Sequence, residues 1–123
     1  MKEITKAQEQ ILKVLWQLES AMVKEVIAEL PEPKPSYTTV STVIRVLEAK
    51  GYVGHQAFGK THVYHPLVSK EAYASYYLKG SMETFFNNSI ENVVSFFASN
   101  KKMSLEELEG LKKYVEAQIE KNK

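Results

Sequence analysis

Between Pro35 and Gly51 the chain reads P-S-Y-T-T-V-S-T-V-I-R-V-L-E-A-K-G, and its chemistry-bearing side chains are hydroxyls and a single guanidinium. Read at helical period, Thr38, Ser41, Thr42 and Arg45 gather on one face, opposite Val40, Val43, Ile44 and Leu47. Such a face suits nucleic acid. Threonine methyls touch thymine methyls, hydroxyls bond bases or phosphates, and arginine forks onto guanine. Tyr37 and Thr39 extend the set, and Ser36 ahead of it is placed to cap the helix by accepting from a first-turn N–H. Gly51 stands where the helix would stop, since glycine takes the left-handed conformation without a Cβ clash. A surface helix with a solvated side carries the same pattern, so the remaining sequence has to choose.

The elements before this stretch are those that would hold it. Thr5 with Gln8 three residues later fits a capping box, and Ile11, Leu12, Leu15, Trp16 and Leu18 follow at helical spacing, predicting a first helix from Lys6 to Leu18. Trp16 inside that stripe reads as core rather than as a binding aromatic. Val23, Val26, Ile27 and Leu30 predict a short second helix closed by Pro31, and P-E-P-K-P after it reads as a stiff connector. Two short helices and a tight break into the Ser36 helix make a helix-turn-helix pattern.

After the Ser36 helix, Tyr52–Ala57 and His62–Val68 are short runs rich in Val and Tyr around F-G-K-T, the signature of a hairpin with Lys60 at its tip. Pro66 sits at the strand end, where a missing N–H costs least. Three helices followed by a basic-tipped hairpin is the layout of a winged helix. There the third helix enters the major groove while the hairpin follows the backbone. Lys60 would meet phosphate, helped by Thr61 and His62; a hairpin that only completes the core, with Lys60 a solubilising tip, is the other reading. His55, His62 and His65 have no spacing that aims them at one metal, and with no cysteine and no carboxylate pair nearby a zinc site is not expected.

At 123 residues the chain suits one domain, or a small domain with an oligomerisation extension. It has no run of 18 apolar residues, so no membrane span is expected. Its opening M-K-E-I-T-K-A-Q lacks a signal peptide's apolar core. Zero cysteines remove disulfides, thiolate metal sites and cysteine nucleophiles together. Cytoplasm is the expected compartment and no cofactor is expected. The net charge is only +1, so DNA binding would need its cations concentrated locally. Lys34, Arg45, Lys50 and Lys60, with His55 and His62, are the candidates. There is no glycine-rich phosphate loop and no nucleophile elbow.

From Ser69 the sequence turns helical and aromatic, with Tyr73, Tyr76, Tyr77, Phe85 and Phe86 leading into Ile90, Val93, Val94 and Phe97. Gly80 is expected to bend or separate two helices. Ser104 with Glu107 makes a second capping box, and Met103 with Leu108 the staple around it. Leu108, Leu111, Val115 and Ile119 stripe the last helix. About 55 residues are marginal for an independent core. So much apolar surface points to burial against a partner, most simply a second copy, with docking on the chain's own winged helix as the competitor.

Four phrases in order carry a family resemblance: I-L-K-V-L-W, T-T-V-S-T-V-I-R-V-L-E-A-K-G-Y-V, G-K-T-H-V-Y-H-P-L-V and S-L-E-E-L-E-G-L. Over essentially its full length the chain resembles the penicillinase-repressor family, the BlaI/MecI/CopY type of bacterial repressor. The resemblance implies a homodimeric winged-helix repressor covering an operator of two inverted half-sites. It also implies targets among β-lactam resistance genes, their sensors or copper-handling genes. Copper-responsive members carry a C-terminal cysteine cluster, which this chain lacks, so metal sensing is disfavoured. Family members often have a second basic residue in the recognition helix where this chain has Ser41 or Val46, so the operator sequence does not carry over. The β-lactam-responsive members are cut by a regulatory protease at an Asn-Phe bond; the corresponding V-V-S-F-F-A-S-N has no such pair, leaving Ser95, Phe96 and Phe97 as the candidate cleavage region.

The sequence thus predicts a mainly α protein: a winged helix-turn-helix of three helices plus a β-hairpin wing over residues 1–68, then a helical dimerisation region over 69–123. Double-stranded operator DNA is the expected partner, met by Ser36, Tyr37, Thr38, Thr39, Ser41, Thr42, Arg45, Lys60, Thr61 and His62. The expected dimer interface is Phe85, Phe86, Val93, Val94, Phe97, Leu108, Leu111, Val115 and Ile119. The runner-up is a winged-helix module whose polar α-face docks a protein.

Overall fold

The structure, a computed structural model, describes residues 1–100 and 103–123, and of residue 118 the backbone alone. In chain order the elements are α1 (Lys6–Leu18), α2 (Val23–Ala28), α3 (Tyr37–Ala49), β1 (Val53–Phe58), β2 (Thr61–Pro66), α4 (Lys70–Phe86), α5 (Ile90–Ser99) and α6 (Leu105–Lys121). They divide into two compact units, Met1–Tyr77 and Leu78–Lys123.

The first unit is built from its caps inward. At the start of α1 the Gln8 N–H donates to Thr5 Oγ1 at 3.1 Å while the Thr5 N–H donates to Gln8 Oε1 at 3.0 Å, so two otherwise orphaned donors are satisfied. Ser36 accepts from the Thr39 N–H and opens α3. At its end Gly51 takes φ +85°. Tyr52 N–H reaches the Leu47 carbonyl at 2.9 Å and Gly51 N–H the Glu48 carbonyl at 3.0 Å, the paired bonds of a Schellman stop. The stripes of α1, α2 and α3 close on one core in which Leu12, Leu15, Val26, Val40, Ile44 and Leu47 are fully buried. Val43 packs at its edge rather than inside it.

β1 and β2 pair antiparallel with Phe58 opposite Thr61, so the turn is Gly59-Lys60; β1 lies one residue later than expected, and β2 starts one residue earlier and ends two earlier. Gly59 has φ +65°, the conformation that a glycine-first two-residue hairpin turn demands. Ala21, in the link between α1 and α2, exchanges two 2.8 Å backbone hydrogen bonds with Tyr64. That bridge ties the wing to the helices at a buried point, and no periodicity in the sequence announces it.

The first unit also takes in the opening turns of α4, beyond the expected boundary at residue 68. Trp16 Nε1 donates to the Val68 carbonyl at 2.8 Å, Tyr73 Oη donates to Glu9 Oε2 at 2.7 Å, and the Tyr73 ring meets Trp16 and Tyr52 at 5.7 and 6.0 Å. The Tyr52 hydroxyl in turn donates to the Lys2 carbonyl. Trp16 is therefore a core-edge residue, as its stripe predicted. Tyr73, grouped from sequence with the C-terminal aromatics, packs on the first unit.

α4 continues through Gly80, so that glycine does not separate two helices. The chain turns instead at Asn87 and Asn88, which take φ +50° and +58°, a conformation asparagine tolerates better than most residues. Ser89 then caps α5 by accepting from Asn92 N–H at 3.1 Å. The capping box at the start of α6 forms as predicted, with Ser104 N–H to Glu107 Oε1 at 3.2 Å and Glu107 N–H to Ser104 Oγ at 3.1 Å. Among the described residues, none after Tyr64 is fully buried. The second unit is held by contacts such as the edge-to-face Phe86–Phe96 pair at 5.7 Å. Among the described residues no helix is long and apolar enough to cross a membrane.

Candidate nucleic-acid interface

The start of α2, one flank of α3 and the wing enclose a groove of about 540 Å³. Tyr37, Ser41 and Arg45 line it from α3, Lys60, Thr61, His62 and Tyr64 from the wing, and Met22, Val23 and Lys24 from the α2 start. Six of the residues singled out from the sequence are brought together here. The lining holds two ammonium groups, a guanidinium and an imidazole, and no carboxylate. A concave surface of one sign, with low-dielectric walls, focuses potential toward an anionic ligand. Burial pushes the Tyr64 phenol above its ordinary value, Glu48 adds to the rise and Arg45 opposes it; its hydroxyl stays protonated at neutral pH.

The other predicted residues divide by role. Thr38 and Thr42 are exposed on the outer face of α3, beside exposed Tyr37 and Arg45. Ser36 and Thr39 are occupied with each other: the Ser36 hydroxyl donates to Thr39 Oγ1 at 2.9 Å while accepting from the Thr39 N–H at 3.1 Å. They shape the first turn that presents Tyr37 and Thr38. Ser41 departs from expectation. It is 9% exposed, at the floor of the groove, and accepts a 3.1 Å hydrogen bond from Arg45 Nη2 one turn on. Helical period groups it with Thr38, Thr42 and Arg45, but the packing of α2 and the wing beside α3 makes its position part of the groove lining.

The candidate cations also sort. Lys34 Nζ donates to the carbonyls of Ile27, Ala28 and Leu30 at 3.3, 3.1 and 2.6 Å, closing the end of α2. Lys50 Nζ donates to the Glu3 carbonyl at 2.9 Å and Gln8 Oε1 at 3.1 Å. His55 pairs with Glu48 and stacks on His62 with ring centroids 4.4 Å apart. That leaves Arg45, Lys60 and His62, and adds Lys24, which the sequence reading passed over. The signal was present: a lysine in the first turn opposes the helix dipole, so it earns its place by something other than helix stability. No group of three metal-ligating side chains occurs among the described residues.

A sequence profile described as the penicillinase repressor matches residues 4–117, on both units. The chain belongs to the penicillinase-repressor family. The penicillinase repressor of Bacillus licheniformis is 29% identical over 115 residues, covering 93% of this chain and 90% of that one. The solved DNA-binding domain of the repressor BlaI is 32% identical at a TM-score of 0.51, covering 59% of this chain and 94% of that domain. RosR of H. salinarum, at 21% identity and a TM-score of 0.51 over 82% of this chain and 96% of that one, shares the fold. As a penicillinase-repressor family member the chain is a DNA-binding transcriptional repressor built on a winged helix, and it is not an enzyme.

Among the described residues of the second unit, no apolar side chain is buried. Phe85 is 75% exposed and Ile119 55%, with Phe97 and Val115 also exposed; Phe86, Val93, Val94, Leu108 and Leu111 are half-buried. Ile90, Leu105 and Tyr114, outside the expected interface, are exposed as well. Ser95, Phe96 and Phe97 lie within the helical turns of α5.

Proposed function

We propose that two copies of this repressor grip one operator of two inverted half-sites in the cytoplasm. In each copy α3 enters the major groove, with Tyr37, Thr38, Thr42 and Arg45 toward the bases. Lys24, Lys60, Thr61 and His62 take the adjoining phosphates. The observation that carries this reading is the carboxylate-free groove between α2, α3 and the wing, open beside the exposed polar face of α3. The apolar faces around Phe85, Val93, Val94, Phe97, Leu111, Val115 and Ile119 would join the two copies, because a unit without a fully buried residue gains most by covering such surface. The likeness to a penicillinase repressor supports β-lactam resistance genes as the regulated set.

Sequencing the duplex fragments that the purified protein retains tests the reading. Enrichment of an inverted repeat with half-sites about one helical turn apart, or a multiple of it, is expected; retention without any shared sequence would contradict it. A regulatory protease would have to act within Ser95–Phe97. Nicking favours exposed loop tips, so cleavage there requires α5 to unwind locally. An immunoblot after β-lactam treatment decides: a fragment of roughly 95–100 residues supports that route (the length set by the position of Phe96, on a family likeness), and an intact band with full derepression removes it.

A further inference from the structure

Apart from the tyrosines Tyr52 and Tyr64, Ser41 is the one buried residue among those described that carries a polar side chain. A buried hydroxyl costs free energy unless its hydrogen bonds are made, and no buried polar side-chain atom is left without a partner among these residues. Its partner is the guanidinium of Arg45, at 3.1 Å. The arrangement is not what Arg45 would adopt from sequence spacing alone. Glu48 stands three residues further along α3, at the spacing where a helix forms ion pairs. But Glu48 is taken by His55 from β1, and no carboxylate is recorded against Arg45 among the described residues. The wing thus removes the competing anion, and Ser41 supplies a neutral acceptor in its place.

We propose that Ser41 is a positioning residue for Arg45, not a reader of bases: it holds the guanidinium along the groove, charged and unpaired, in the rotamer from which its other donors engage DNA. The inference deepens the proposed function and rests on its reading of Arg45. A neutral acceptor suits the task. An ion pair would have to be broken before Arg45 met a base, whereas one hydroxyl hydrogen bond leaves most of the guanidinium's five donors free. Ordering a rotamer-rich side chain in advance removes part of the cost of binding.

The test is a double-mutant cycle on a duplex selected by retention, with random duplex of equal length as reference. Ser41→Ala should weaken operator binding about three- to tenfold, the worth of one side chain's lost order, and leave random-duplex binding unchanged. In an Arg45→Ala background, Ser41→Ala should cost nothing further. Ser41→Thr, which keeps the hydroxyl, should bind within about twofold of wild type. Should the alanine variant melt too low to assay, Ser41→Cys serves, with a similar shape and a weaker acceptor. Equal losses from Ser41→Ala in both backgrounds, or no loss in either, would overturn the positioning role while leaving the proposed function standing. Full operator binding by Arg45→Ala alone would overturn the proposed function itself.

Discussion

Lys34→Met separates a cation that builds the fold from one that meets DNA. Its ammonium sits on three carbonyls at the end of α2, the nearest at 2.6 Å. A positive charge at a helix C-terminus contributes about 0.3–1 kcal/mol, and a hydrogen bond from a charged donor about 1.5–3 kcal/mol when well buried. Lys34 is largely exposed, so solvent screening reduces both, and a total near 1 kcal/mol is the reasonable sum. Methionine keeps the stem's packing and removes only the charge and its donors. For a unit of this size 1 kcal/mol moves the melting temperature by about 4–8 °C. Melting followed by circular dichroism should show that drop, and the salt dependence of binding to random duplex should keep its wild-type slope. A variant that melts like wild type and loses about one unit of slope would refute the reasoning, because Lys34 would then be a phosphate contact after all.

Three further outcomes follow from other contacts. Tyr73→Phe removes the hydrogen bond to Glu9 while keeping the ring against Trp16 and Tyr52, and should cost about 1 kcal/mol in chemical denaturation. Burial, then the bond to Glu9, raises the Tyr73 phenol well above its ordinary value, and burial raises Tyr52 and Tyr64 as well. Their protonated forms are therefore favoured by folding: that stability is fully present below pH of about 10, the unfolded value, and falls as pH rises through the folded values. Denaturation midpoints across alkaline pH should decline in wild type, and less steeply in Tyr73→Phe. Ile119→Asp, on an exposed site of α6, should leave helix content intact, sediment as monomer and bind the operator more weakly; an unchanged dimer would move the interface elsewhere.

Much of this fold can be read from short-range chemistry. The start of α1 and both ends of α3 follow from Thr5 with Gln8, from Ser36 and from Gly51, because caps act within four residues and are visible as residue types. Gly80 misleads for a physical reason. A helical glycine costs only about 1 kcal/mol, which the 17 residues of α4 absorb, whereas Asn87-Asn88 supplies the left-handed turn with no glycine to announce it. The site is legible as a set of residue types and less so as a set of roles. Counting charges cannot tell that Lys34 and Lys50 are spent on backbone carbonyls. Nor can helical period tell that Ser41 lies under α2 and the wing, since tertiary cover decides which flank of α3 is exposed. Lys24 shows the converse: its first-turn place against the helix dipole is visible in the sequence, but only the folded wing makes it part of a groove.

The central claim is that the α3 face reads sequence while the basic groove grips the backbone. Equilibrium binding of wild type, Arg45→Ala and Lys60→Ala to the selected operator and to random duplex, across a salt series, tests it most directly. Arg45→Ala should lose about 1–3 kcal/mol on the operator and little on random duplex. Lys60→Ala should weaken both alike and lower the logarithmic salt slope by about one unit. Equal operator and random binding by wild type with a flat salt dependence, or an Arg45→Ala variant that discriminates as well as wild type, would contradict the account.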